Sequence, residues 1–318
     1  MTVRPAPLCV VVICLALLGA AVCFAQPAPA PAAAAPATPA AAAAPNALPP
    51  HVVNCTPAAF AANVDVNLTQ VSVTFDRPMN TAGGDGFAGL KWYAQSPVGR
   101  RALVTWNADG TVASLPVKLD TDMTYAITVN ASAEAKARAG GAAKGVFADP
   151  SGATALPFTW AFSTGARTPA DFPTYVVSSL PAQAAGDVDA TTAQISVTFN
   201  RPIAAGDMPV VAVASCGVSP VAAGGGKGHG GGRRGRGAAA AAGPVSLSAD
   251  RLTATIDVSL LPGTIYALSL NSDNREDWKD VDGRPVLPYA WCFKTTGTAP
   301  AATAAGPAPG APAAAPAK

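Results

Sequence analysis

The residues best equipped for chemistry lie in one run, Asp273-Asn-Arg-Glu-Asp-Trp-Lys-Asp-Val-Asp-Gly283, the densest acidic stretch of the chain. Hard oxygen donors gathered in a turn can hold calcium. Asp280, Asp282 and Gly283 fit the spacing of a calcium loop, but Trp278 stands where the first ligand belongs. Asp and Gly are also ordinary turn formers. The run therefore reads either as a calcium site on Asp280 and Asp282 or as a plain turn, and no other cofactor is expected.

Catalytic machinery is missing. The two histidines, His51 and His229, have no neighbouring cysteine or histidine that would complete a zinc site or a Ser/His triad. No glycine-rich phosphate cradle follows a strand and opens a helix. The sequence reads as non-catalytic.

A second cluster is cationic. Lys227, Arg233, Arg234 and Arg236 sit in a Gly/Arg-rich insertion over residues 222–243. Net charge is 21 − 19 = +2 over the whole sequence, and removing Arg4 and these four cations leaves −3. A mildly acidic body with one basic loop is a poor footprint for specific nucleic-acid binding. The loop reads either as a contact for anionic envelope polymers or as a low-complexity insertion tolerated at a hairpin tip.

Cysteines set the redox question. Cys9, Cys14 and Cys23 lie in an apolar first segment, which leaves Cys55, Cys216 and Cys292. Three is odd, so at most one intramolecular pair forms. A Cys216–Cys292 bridge would close a long loop and contribute about 2–4 kcal/mol. The cysteine pattern leaves bridged and unbridged states equally open. Among the tryptophans, Trp160 and Trp291 read as core, and Trp92-Tyr93 and Trp278 are the candidates for an exposed aromatic patch, with core or strand packing the favoured reading for each.

The elements that hold these residues follow from composition and repetition. One positive charge precedes an uninterrupted apolar run, Leu8–Phe24, and small residues flank a cleavage point after Ala25. Residues 1–25 are thus expected to be a signal peptide, with an uncleaved membrane anchor as the alternative. No transmembrane span is expected after cleavage. Residues 26–48 and 298–318 are Ala/Pro-rich and form a linker and a tail.

Between them the chain repeats. Aligning Pro49–Pro78 with Pro173–Pro202 gives 15 identities in 30 positions, including VSVTFDRPM against ISVTFNRPI. Thr124–Asn130 matches Ile265–Asn271, and Phe158–Thr164 matches Tyr289–Thr295. The units span 49–166 and 171–297. Within each the period is two: Val71, Val73 and Phe75 alternate with Ser72 and Thr74. Tyr125, Ile127 and Val129 alternate with Ala126 and Thr128, and Trp160 and Phe162 with Thr159 and Ala161. Such alternation sends one set to the core and the other to water. The predicted fold is all-β, two tandem immunoglobulin-like antiparallel β-sandwiches flanked by disordered Ala/Pro-rich segments.

The order P-x-V-V-x-x-x-P, V-D, Q-x-S-V-T-F-x-R-P, then Y-x-[IL]-x-[VL], D-x-x-G and W-x-F-x-T resembles the bacterial Ig-like domain of S-layer proteins, the SbsA type. Asp149–Gly152 and Asp280–Gly283 occupy that family's Asp-x-x-Gly turn. The resemblance implies a secreted, periplasmic or cell-surface protein whose domains serve as spacer, scaffold or adhesion modules. Its partner would be an envelope or extracellular polymer or protein. The alternative is a carbohydrate- or polyanion-binding protein using the basic loop and exposed aromatics.

Overall fold

The computed structural model describes residues 47–82, 86–90, 95–99, 103–131, 145–206, 208–213, 245–273 and 275–298. Among these there is no helix. In the first half, β1 (Val52–Thr56), β2 (Gln70–Phe75), β5 (Val112–Pro116) and β4 (Thr105–Trp106) form one sheet in the order β1-β2-β5-β4. β3 (Phe87–Gly89), β6 (Thr124–Val129) and β7 (Phe158–Ser163) form the other. The second half repeats this with β8 (Val176–Leu180), β10 (Gln194–Phe199), β13 (Thr253–Asp257) and β12 (Val245–Leu247) opposite β11 (Val211–Ala212), β14 (Ile265–Leu270) and β15 (Tyr289–Thr295). β9 (Ala185–Val188) joins β15 in parallel, the one parallel strand pairing among the described residues.

The repeated phrase makes the central strands β2 and β10. Their burial alternates as the period of two requires, with Val71, Val73 and Phe75 inward and Ile195, Val197 and Phe199 inward. Proline cannot donate to a ladder, and Pro78 and Pro202 stand just beyond these strands. Opposite them, Trp160 and Phe162 close one core and Trp291 and Phe293 the other.

Each half carries the same local fasteners. The Tyr125 hydroxyl accepts the Asp120 N–H and the Tyr266 hydroxyl accepts the Leu261 N–H, both at 2.6 Å. This back-bond to the chain just upstream resembles the tyrosine corner of immunoglobulin domains. Beyond the same strand, Asn130 and Asn271 adopt φ of 55° and 52°. Their amides reach across to the segment that precedes the closing strand. Asn130 Nδ2 donates to the Phe147 and Ala155 carbonyls and its Oδ1 accepts the Phe147 N–H. Asn271 does the same with Trp278 and Val286. Asparagine suits the place twice, because it tolerates the left-handed region and supplies both donors and an acceptor.

The outward faces differ from the sequence expectation. Alternation places Ala126, Thr128 and Ala161 toward water, yet they are 0%, 1% and 0% exposed. β6 and β14 are buried on both faces because the two sandwiches cover one another.

Replacing Asn130 or Asn271 by Ala strands one N–H and two carbonyls in the core, and each change should lower stability by about 3 kcal/mol in chemical denaturation. Acid should also weaken the fold. The Thr168 and Thr191 backbone N–H groups and hydroxyls hold the Asp171 and Asp189 carboxyls below the usual 3.8. A folded pKa below the unfolded one means their contribution is complete above that value and disappears as pH falls beneath it. Denaturant midpoints measured from roughly pH 5 down to roughly pH 2 should therefore decline.

Candidate functional site

The contact between the sandwiches consists of two apolar clusters that the repeat exchanges. One gathers Leu90, Ala126 and Ala161 of the first half with Phe172 and Leu287, and Phe60 and Tyr175 pack on it. The other gathers Val213, Ala267 and Cys292 of the second half with Leu156, and Leu48 and Ala184 pack on it. In the alignment of the repeats, Ala126 corresponds to Ala267, Ala161 to Cys292, Leu287 to Leu156 and Phe172 to Leu48. Each sandwich thus offers the same patch to the same patch, the reciprocal pattern of a two-fold interface. Small side chains on the outward faces let the sheets approach.

The exchange is imperfect at one place. Phe60 stacks on Tyr175 with ring centroids 3.5 Å apart and 15° between planes. The counterpart positions hold Ala184 and His51, which cannot form a ring stack. A cleft of about 250 Å³ opens along the seam. Equivalent segments line it from both sides: His51-Val52 with Tyr175-Val176, and Leu156–Thr159 with Leu287–Ala290. Its lining contains neither carboxylate nor ammonium nor guanidinium. Burial raises the Tyr175 hydroxyl above its ordinary pKa. Burial likewise raises Tyr289, whose hydroxyl donates to Ser179 Oγ at 3.0 Å. Both phenols remain neutral donors at physiological pH.

The acidic turn is built differently from a metal cage. Asp280 is 1% exposed. Its Oδ1 accepts the Asp282 and Arg284 N–H groups, and its Oδ2 accepts the Thr174 hydroxyl at 2.6 Å and lies 3.9 Å from Arg201. Asp149 binds the Ser151 and Ala153 N–H groups in the first half. Both turns finish on a left-handed glycine, Gly152 at φ 88° and Gly283 at φ 79°, which is why Asp-x-x-Gly recurs. Asp282 is exposed and lies 3.9 Å from Arg284. Among the described residues no group of three or more His, Cys, Asp or Glu is set to hold a metal ion.

The remaining sequence candidates fall apart in space or outside the described residues. Trp278 is no surface aromatic. It is fully buried, because it takes the core position of Phe147 and its indole N–H donates to the Pro209 carbonyl. Cys292 is buried in the seam. Cys216, Lys227, Arg233, Arg234, Arg236 and Trp92 lie outside the described residues. Cys55 is buried in the first core, and burial pushes its thiol up to about 11. Sequence reasoning missed Asn130, Asn271 and the seam itself.

Two sandwiches of immunoglobulin type, arranged in tandem and joined face to face, define the class of protein. The chain belongs to the bacterial Ig-like domain family, whose family model matches residues 46–164 and 170–295. It is similar in part to solved structures. The S-layer protein rSbsC(31-844) is 11% identical with a TM-score of 0.24, and the match covers 78% of this chain and 26% of that one. The surface layer protein SbsC, domains 1-6, is 11% identical with a TM-score of 0.24, covering 79% and 41%. SGBP-B from a complex xyloglucan utilization locus in Bacteroides uniformis is 10% identical with a TM-score of 0.19, covering 79% and 49%. The chain thus spans between a quarter and half of these proteins. No curated protein matches. No helix among the described residues is long and apolar enough to cross a membrane.

If Asp280 serves the turn, Asp280→Ala should cost about 2–3 kcal/mol through its stranded partners, while Asp282→Ala should change little. A chelator should leave the melting temperature unmoved, and a calcium-dependent rise that vanishes in Asp280→Ala would mark a metal site instead. The Cys55 thiol, so raised, should resist alkylation at neutral pH until the protein is unfolded.

Proposed function

We propose that the chain is an exported, non-catalytic module of the cell envelope or extracellular space, in which the two sandwiches act as a single rigid spacer or scaffold. The reciprocal apolar seam carries this reading. Tandem domains move freely by default unless their interface is large and hydrophobic, and here both faces of β6 and β14 are spent on burial. The connector adds to the coupling. Arg167 donates to the Asp122 carboxylate and carbonyl, Arg201 donates to the Phe172 carbonyl, and Asn200 donates to the Pro169 carbonyl. A spacer with no hinge transmits position and force between whatever flanks it. Membership in the bacterial Ig-like family supports a surface setting, and the S-layer type of that family is the finer assignment we favour.

Calorimetry tests the coupling. The wild type should unfold in one transition, whereas Ala161→Arg, which drives a charge into the seam, should separate two transitions and expose residues 165–174 to protease. Two independent transitions in the wild type would remove the rigid-spacer reading. Fractionation of cells that make the chain should place it outside the cytoplasm.

A further inference from the structure

We propose that the cleft on the two-fold seam is a binding site for a neutral sugar, one pyranose ring or the end of a short neutral glycan. This goes beyond the spacer reading, and the site belongs to neither sandwich alone. Size comes first. At about 250 Å³ the cleft falls just below the roughly 300–1,000 Å³ of pockets that enclose drug-sized ligands, so it suits a single ring. Charge comes second, because the lining offers no ionic partner and an ionised ligand would enter without compensation.

Hydrogen-bonding capacity then separates a sugar from a purely apolar guest. The Tyr175 hydroxyl, the Thr159 hydroxyl and Gln183 Nε2 all belong to residues lining the cleft. None has a protein partner among the described residues. Gln183 Oε1, by contrast, is fixed by accepting the Cys292 N–H at 3.2 Å, which commits the amide nitrogen as the free donor. His51 Nδ1 sits 3.2 Å from the Pro49 carbonyl. A carbonyl only accepts, so Nδ1 carries a hydrogen, and the Asp76 carboxylate lies 3.6 Å from the same nitrogen. An apolar guest would cover these groups and leave them unpaired, which is costly. A sugar meets both demands, with a C–H face for the rings of Phe158 and Tyr289 and a rim of hydroxyls for the free donors and acceptors. Phe60, stacked on Tyr175, forms part of the cleft wall.

Saturation-transfer NMR on the full chain tests this with neutral mono- to tetrasaccharides of glucose, galactose, mannose and N-acetylglucosamine. Sialyl and uronate oligosaccharides and a proline-rich peptide serve as comparisons. At least one neutral saccharide should receive saturation on its ring C–H protons. Thr159→Val, Gln183→Leu and Tyr175→Phe, which keep shape and stacking, should each weaken its binding about tenfold, the worth of one lost hydrogen bond. The melting temperatures of Thr159→Val and Tyr175→Phe should match the wild type, whereas Gln183→Leu also strands the Cys292 N–H and should melt lower. Binding of none of the neutral saccharides, preference for the acidic ones or for the peptide, or full affinity in all three variants would overturn the proposal. If no saccharide binds yet the protein still melts in one transition, the sugar site fails and the spacer reading survives.

Discussion

Ala126 and Ala161 on one sheet and Ala267 and Cys292 on the other permit the arrangement on which the rest depends. An outward sheet face of larger or charged residues would hold the sandwiches apart and leave each with one wet side, as an isolated antiparallel sheet tolerates. With small side chains the faces close, and Leu156 and Leu287 fill the two symmetric edges. Each leucine lies on the sheet of the other half. A duplicated domain thus reproduces within one chain what identical subunits do in a two-fold dimer.

Closing the seam places strict demands on polar groups. β6 and β14 lose solvent on both sides, so backbone ends and turns near them need internal partners. Asn130 and Asn271 provide these at one end, and Tyr125 and Tyr266 at the other. Asp149 and Asp280 organise the turns that lead into the closing strands. The indole N–H groups of Trp160 and Trp291 are an exception, since both are buried without an acceptor among the described residues. The same donor is orphaned in both halves, a feature of the core geometry common to the two copies.

Much of this was legible in the sequence. Period-two alternation in β2 and β10 reports burial correctly because one side of those strands does face water. The same rule fails in β6, β7, β14 and β15. Alanine, threonine and serine on the second face carry no signature that separates a water-facing position from one pressed on another sheet. Trp278 stands as a candidate for a surface patch with core packing the favoured reading, and its alignment with Phe147 supports the core position it occupies. Asn130 and Asn271 stood at matching positions in the repeat, and a polar residue ending two buried strands was the available signal. The cleft was not readable, since its walls come from both halves and meet across a contact that only the fold creates.

One rigid body built from two sandwiches is the central claim, and residual dipolar couplings measure it directly. Amide couplings from β1–β7 and from β8–β15, recorded on one aligned sample, should fit a single alignment tensor in the relative orientation described above. Two tensors of different magnitude or axis would show that the halves move independently and that the seam does not hold in solution.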